Sequence, residues 1–169
     1  MAPGPAGAQP IPATANAPPA VGVPAWERWC RRSGACQPSA LDRSWRGSVA
    51  ELARVNHEVN RAHIYAREYG DDWQPVGEAA GGWGDCEDFA LEKRQRLVAL
   101  GWPIGNLRIA VMRDQDNLEH AVLLAWTAGR WWALDILRAD PTPPAALPYT
   151  RWYIEPWEGR AWLAFQPQT

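Results

Sequence analysis

The spacing of apolar residues divides the chain into a helical half followed by a strand half. Apolar residues recur every three or four positions over residues 48–69 and again over residues 85–100, which predicts two amphipathic helices. A shorter helix is expected over residues 26–32. Asp85 is followed three residues later by Asp88, the pattern of a capping box, so Cys86 is predicted to lie at or beside the first residue of the second long helix.

After residue 106 the pattern changes to that of strands. Residues 107–112 alternate between apolar and other positions, which predicts one strand. Two strongly apolar runs, 118–126 and 131–137, are separated by a short connection that contains Gly129, and this arrangement predicts an antiparallel hairpin. Two short closing strands are expected at residues 149–155 and 161–165. The predicted fold class is therefore α+β, with helices packed on an antiparallel sheet.

The hairpin contains one histidine and one aspartate in otherwise apolar strands. If the loop has two or four residues, Asp135 pairs with Val122 and His120 pairs with Leu137. His120 and Asp135 are then diagonal neighbours on one face, about 7–8 Å apart at the backbone. A loop of three or five residues would separate them. Since a buried charge is costly unless it is paired, each side chain is the natural partner of the other, either as a structural pair or as a catalytic one.

Cys86 is the candidate nucleophile. At the first turn of a helix, free N–H groups and the helix dipole favour a thiolate and lower a cysteine pKa from about 8.5. A small buried cysteine is the alternative reading of the same position. With His120 as general base and acid and Asp135 as the group that orients it, Cys86 completes a predicted nucleophilic triad. The second oxyanion donor is open, with Trp83 and Asn60 as candidates.

Composition limits the classes of function. The 169 residues suffice for one domain, expected over residues 25–169, and residues 1–24 form an uncharged tail rich in Pro and Ala that is expected to be disordered. The net charge of −2 and the lack of a basic run argue against nucleic acid as a partner. The sequence has no run of about 18 apolar residues, so no transmembrane segment is predicted. Twelve tryptophans keep a non-catalytic glycan- or peptide-binding module open, although their apolar surroundings favour a role in the core.

The chain has three cysteines, so at least one of them has no disulfide partner within the chain. Cys30 and Cys36 are close in sequence and parse as one pair, which leaves Cys86 as a free thiol. Two further free thiols are the alternative, and the spacing does not match a zinc site. A bridge would indicate folding in an oxidising compartment.

The blocks GDCED, HAVLL and LD, in that order, resemble the bacterial transglutaminase-like cysteine peptidases, and the similarity extends over residues 26–165. The resemblance implies a papain-like, transglutaminase-type core with Cys86 as nucleophile, His120 as base and Asp135 as orienter. It also favours the Cys30–Cys36 bridge. The chain departs from the family at Ile136, because an asparagine usually follows the triad aspartate.

The same resemblance implies a function and its partners. Similar proteins are periplasmic endopeptidases that cleave cell-surface adhesins through a thioester, depend on calcium, and are held by an inner-membrane receptor for cyclic di-GMP. The implied calcium ligands here are Asp85, Glu87 and Asp88, whose oxygens suit that ion, although helix capping explains the same acids. No signal peptide is recognised in the chain as written. An acyl transferase or amidase that uses the same triad is the alternative activity.

Overall fold

The fold consists of three helices packed on a five-stranded antiparallel sheet. The computed structural model describes residues 22–67, 70, 72–79, 81–156 and 161–167. Its elements are α1 (Pro24–Ser33), α2 (Val49–Ala62), β1 (Ile64–Tyr65), β2 (Trp83–Gly84), α3 (Cys86–Ala99), β3 (Leu107–Arg113), β4 (Glu119–Thr127), β5 (Arg130–Leu134), β6 (Thr150–Ile154) and β7 (Leu163–Ala164). The main sheet has the order β5-β4-β3-β6-β7, which confirms the predicted α+β class. Residues 1–21 of the predicted tail lie outside the described residues.

The predicted helix over residues 48–69 is too long. Helix α2 ends at Ala62, and the next residues form strand β1, which pairs in parallel with β2. The Ile64 N–H donates to the Gly82 carbonyl at 3.0 Å, and the Ala66 N–H donates to the Gly84 carbonyl at 2.9 Å. Residues 68 and 69 of that prediction lie outside the described residues. The short pairing ties the end of α2 to the segment that leads into Cys86.

The predicted register of the β4–β5 hairpin is confirmed. Leu123 pairs with Leu134 and Thr127 with Arg130, around a two-residue turn. Both turn residues, Ala128 and Gly129, have positive φ (52° and 85°), as a type I′ turn requires. Strand β5 ends at Leu134, earlier than the predicted residue 137. The strand stops because the Asp135 carboxylate accepts a hydrogen bond from the Leu137 N–H at 2.9 Å, which turns the backbone.

The sheet is buried on both faces. Leu107, Ile109, Leu123 and Leu134 pack with the helices, whereas Met112, Val122, Leu124 and Trp152 belong to a second apolar cluster on the opposite face. Strand β4 therefore shows a continuous apolar run instead of an alternating one. Eight of the eleven described tryptophans are buried, so the tryptophans mainly fill the core rather than form an exposed binding surface.

A buried ion pair fastens α3 to the sheet. Arg94 Nη1 lies 2.8 Å from Glu155 Oε1, and both side chains are almost fully buried. Glu155 also accepts hydrogen bonds from the Trp26 indole N–H and from the Ile109 backbone N–H, each at 3.1 Å. One carboxylate thus joins α1, α3, β3 and the residue after β6. The position of Cys86 at the start of α3 is set by this attachment.

The predicted bridge between Cys30 and Cys36 is present. Cys30 and Cys36 form a disulfide that closes the end of α1, and Cys86 is a free, buried thiol. Within the described residues, none of the helices combines the length and the apolar character needed to cross a membrane.

Among the described residues, Asn117, Ala128 and Arg151 adopt a left-handed backbone although none of them is glycine. Asparagine tolerates this conformation better than most residues, so the strain is expected at the other two. Ala128 lies in the hairpin turn, and Arg151 lies in a β-bulge of β6, each with φ 52°. At the bulge, Arg151 and Trp152 together face the single residue Met112 of β3.

We therefore expect Ala128→Gly and Arg151→Gly each to stabilise the protein. Relief of the left-handed strain outweighs the extra chain entropy of glycine by roughly 0.5–1 kcal/mol. Urea unfolding of the two variants and the wild type measures the difference. A lower free energy of unfolding in either variant would contradict the reading of its backbone as strained.

Candidate active site

Cys86 is the first residue of α3, as predicted. Asp85 is the N-cap residue, and a capping box links it to Asp88, whose carboxylate accepts a hydrogen bond from the Asp85 N–H at 3.4 Å. The same Asp88 carboxylate accepts a hydrogen bond from the Gln74 N–H at 2.9 Å. Because the Asp88 carboxylate binds the backbone at both Asp85 and Gln74, it fixes the position of the helix start. The Cys86 side chain is placed with it.

Packing of α3 on β4 brings Cys86 beside the histidine strand. The backbone N–H of Ala121, the residue that follows His120, lies close enough to the Cys86 sulfur to act on the pKa of the thiol, which it lowers. Cys86 and His120 both line a cleft of about 850 Å³, together with Tyr65, Trp73 and Arg151. The structure therefore places the predicted nucleophile and the predicted base in one cavity.

His120 and Asp135 form a buried pair. His120 Nε2 lies 2.9 Å from Asp135 Oδ1, and the two side chains are 6% and 0% exposed. Burial raises the pKa of Asp135, but the hydrogen bond and charge of His120, with further hydrogen bonds, outweigh it and hold that pKa below its usual value. Since Nε2 faces Asp135, Nδ1 is the ring nitrogen left for the thiol. The predicted pairing of these two residues is confirmed in its geometry.

Tyr149 is a member of this cluster that sequence reasoning missed. Its hydroxyl donates to Asp135 Oδ2 at 2.6 Å, and its ring packs edge-on against the His120 ring with the centroids 5.2 Å apart. Burial and the neighbouring carboxylate raise the pKa of Tyr149 well above its usual value, so the hydroxyl stays protonated and continues to donate. Tyr149 follows a proline-rich loop, where no local pattern points to a site. The Tyr149 hydroxyl and the Leu137 N–H both donate to the Asp135 carboxylate. Asp135 therefore has polar partners although the side chain of the next residue, Ile136, is apolar.

Two asparagines of α2 hold the turn that carries Asp135. The Asn60 side-chain amide donates to the Asp135 carbonyl at 3.1 Å, and the Asn56 amide donates to the Arg138 carbonyl at 2.8 Å. The two residues are four positions apart and so share one helix face. Asn60, a candidate oxyanion donor from the sequence, therefore uses its amide to position Asp135. Trp83 in β2 stays a candidate for that role.

The predicted lowering of the Cys86 pKa is wrong. Burial, followed by the charge of Glu87 and a hydrogen bond from the sulfur to Glu87 Oε2 at 3.2 Å, raises the pKa of the Cys86 thiol well above its ordinary value. Asp85 raises it further. The helix dipole favours a thiolate, but the acidic side chains of the first turn offset that field. In this arrangement the thiol is protonated at neutral pH.

The three predicted calcium ligands are only partly brought together. Asp88 is buried and its oxygens accept backbone hydrogen bonds, so it acts as a capping residue. Asp85 and Glu87 do interact: burial, and then a hydrogen bond with Asp85, raises the pKa of Glu87 to about 9. Over the described part of the chain, no cluster of three or more His, Cys, Asp or Glu side chains is arranged to hold a metal ion.

Lys93 is a second residue that sequence reasoning missed. It lies two helical turns after Cys86, on the same face of α3, and is 1% exposed. Burial lowers the pKa of Lys93 to about 7, while the charges of Asp135 and Cys86 act to raise it. The spacing of seven residues from Cys86 is a signal that could have drawn attention to it. Lys93 is thus a buried, titratable amine that interacts electrostatically with Asp135 and Cys86.

Comparison with known proteins assigns the family. The sequence profile described as bacterial transglutaminase-like cysteine proteinase (BTLCP) matches residues 15–162. This chain belongs to that family. It is therefore a cysteine peptidase, and a peptidase implies a protein substrate. No curated protein sequence matches the chain at a significant level.

Solved structures agree with this assignment. Calcium-bound LapG from Legionella pneumophila is 30% identical, with a TM-score of 0.59, over 71% of this chain and 71% of LapG. EGTA-treated LapG from the same organism is 31% identical with a TM-score of 0.59, over 71% of this chain and 69% of LapG. These likenesses support the papain-like α+β core.

The buried Lys93 leads to a pH-dependent prediction. Its pKa falls from 10.5 in the unfolded chain to about 7 in the folded one, so near pH 7 and below the cost of burying the charged amine opposes folding. Between the two pKa values the unfolded chain binds more protons, and this group therefore makes stability rise with pH. Lys93→Met removes that dependence, although it also removes the attraction to Asp135.

We expect Lys93→Met to be more stable than the wild type near pH 7 by a few kcal/mol, with the gain shrinking toward about pH 10. Urea unfolding of both proteins at these two pH values is the measurement. A difference in unfolding free energy that does not change with pH would contradict the assignment.

Proposed function

We propose that this peptidase is an endopeptidase whose catalytic triad is Cys86, His120 and Asp135. The observation that carries the proposal is the buried His120–Asp135 pair, 2.9 Å apart, which shares a cleft with a cysteine at the first residue of a helix. The cleft volume of about 850 Å³ lies within the range of ligand-binding sites and suits a short stretch of extended peptide.

The first half of the reaction forms a thioester. His120 Nδ1 accepts the Cys86 thiol proton while the sulfur attacks the substrate carbonyl carbon, so an S–C bond forms and the carbonyl oxygen becomes an oxyanion. The backbone N–H of Cys86 has no acceptor within the helix because it lies in the first turn, and it is free to donate to that oxyanion. The C–N bond then breaks, and His120 gives its proton to the leaving amine.

The second half releases the acid product. A water molecule attacks the thioester as His120 takes one of its protons, the C–S bond breaks, and the proton returns to sulfur. Asp135 stabilises the imidazolium of His120 in both halves and keeps its ring oriented, and Tyr149 and the Leu137 N–H keep Asp135 in place.

We also propose Asp85 and Glu87 as calcium ligands. Two interacting carboxylates beside a thiol are a suitable donor pair, because calcium prefers oxygen ligands, and backbone carbonyls or water would complete its usual six to eight. LapG, 30% identical to this chain, has been seen in a calcium-bound form. A bound cation would neutralise the two acids that now raise the pKa of Cys86.

The proposed substrate is a cell-surface adhesin and the proposed compartment is the periplasm. The family resemblance supports the adhesin and an inner-membrane cyclic-di-GMP receptor as partners. The Cys30–Cys36 disulfide supports an oxidising compartment.

The triad is tested by incubating the enzyme with the large secreted adhesins of its host. We expect Cys86→Ala and His120→Ala each to lose at least about 10³-fold in cleavage rate. His57→Ala is the matched control, because His57 is an exposed histidine on α2 and should retain full activity. Electrophoresis and sequencing of the new termini measure cleavage. Adhesin cleavage that survives in Cys86→Ala would end the assignment.

The calcium site is tested by binding as well as by activity. At a calcium concentration about 100-fold above Kd, the free energy of unfolding should rise by about 2.7 kcal/mol in the wild type. Glu87→Gln should lose most of this rise, whereas Glu58→Gln, an exposed acid on α2, should keep it. Thermal unfolding with calcium and with a chelator gives the readout. An equal calcium response in Glu87→Gln and the wild type would exclude Glu87 as a ligand.

A further inference from the structure

Arg151 lines the active-site cleft in a conformation that most residues avoid. It is exposed, has φ 52°, and occupies the bulge position where glycine is usual. Strained backbone of this kind persists where the surrounding structure imposes it, and it is often found at functional sites. The extra residue of the bulge lets Trp152 remain buried in the sheet while Arg151 borders the cleft.

The sheet register relates Arg151 to the catalytic histidine. His120 of β4 pairs directly with Met112 of β3, and the bulge of β6 lies opposite that same Met112. His120 and Arg151 are therefore aligned across three adjacent strands. Two strand spacings amount to about 10 Å, the length of about three residues of extended peptide.

Arg151 brings a positive charge to the lining of the cleft. No other described residue forms a hydrogen bond or an ion pair with its guanidinium. Arg113, which also borders the cleft, is neutralised by Glu119, with Nη2 and Oε1 2.7 Å apart. Asp85 and Glu87, which flank Cys86 in the sequence, also line the cleft, as does Arg67. Arg151 and Arg67 are therefore the two arginines of the lining for which no ion pair with another described residue is found.

We propose that Arg151 is a specificity residue that binds an acidic side chain of the protein substrate, about three residues from the scissile bond. This inference rests on the proposed endopeptidase function. A guanidinium offers a planar set of N–H donors that matches a carboxylate.

The test uses peptide binding to the Cys86→Ala protein, which holds substrate without cleaving it. The probes are fluorescein-labelled peptides of Ala and Gly, about eight residues long and roughly 26 Å when extended. A single Glu is moved through every position, and each peptide has a matched Gln version. Fluorescence polarisation gives Kd for each pair.

We expect Glu to bind roughly 5-fold more tightly than Gln at a position two to four residues from the centre of the bound peptide, as suits an exposed ion pair. The preference should disappear in Arg151→Gly, reverse in Arg151→Glu, and weaken near 1 M salt, where the screening length is about 3 Å. Ala128→Gly is the matched control. It relieves the same backbone strain in a turn away from the cleft, and it should keep the preference for Glu.

Equal Kd values for Glu and Gln at every position, a preference that persists in Arg151→Gly, or no binding by any peptide at millimolar concentration would each overturn the proposal. Cleavage by the protein with Cys86 intact is measured separately. Cleavage without a preference for Glu defeats the Arg151 site alone, whereas an Arg151-dependent preference without any cleavage defeats the proposed function alone.

Discussion

The buried carboxylate of Glu155 is the contact on which the placement of the active site depends. It receives the Arg94 guanidinium from α3, the Trp26 indole from α1 and the Ile109 N–H from β3. Removing one partner of such a pair leaves an uncompensated charge in a dry interior, which is why the arrangement resists loosening. Arg94 follows Cys86 by just over two turns of one helix. Cys86 is therefore attached to the same sheet that carries His120.

Burial serves the candidate triad in two opposite ways. It strengthens the interactions among His120, Asp135 and Tyr149, because hydrogen bonds gain strength where water is excluded. The same burial penalises a charged sulfur, and the acids at the helix start add to the penalty. A thiol at a helix N-terminus is thus not activated by its position alone. Glu87 and Asp85 therefore work against the helix dipole at the sulfur.

The elements that were predicted correctly depend on interactions close in sequence. The start of α3 follows from Asp85 and Asp88 within one turn, and the β4–β5 register follows from a two-residue turn that ends in Gly129. The end of α2 was predicted too late, because the apolar residues Ile64 and Tyr65 continue a helical spacing. The N–H groups of Ile64 and Ala66 instead donate to the carbonyls of Gly82 and Gly84, which are distant in sequence. Tyr149 was missed for the same reason, since its contact with Asp135 spans a proline-rich loop without periodicity.

The order of the chemical groups along the chain was enough to determine the family and the α+β class. It was also enough to predict Cys86, His120 and Asp135 as the candidate triad and to pair the last two, because capping and hairpin pairing are governed by near neighbours. The tertiary structure alone decided the protonation of Cys86, the roles of Asn60 and Asp88, the burial of Lys93 and the alignment of Arg151 with His120. Those properties depend on desolvation and on contacts between separate elements, which no local spacing records.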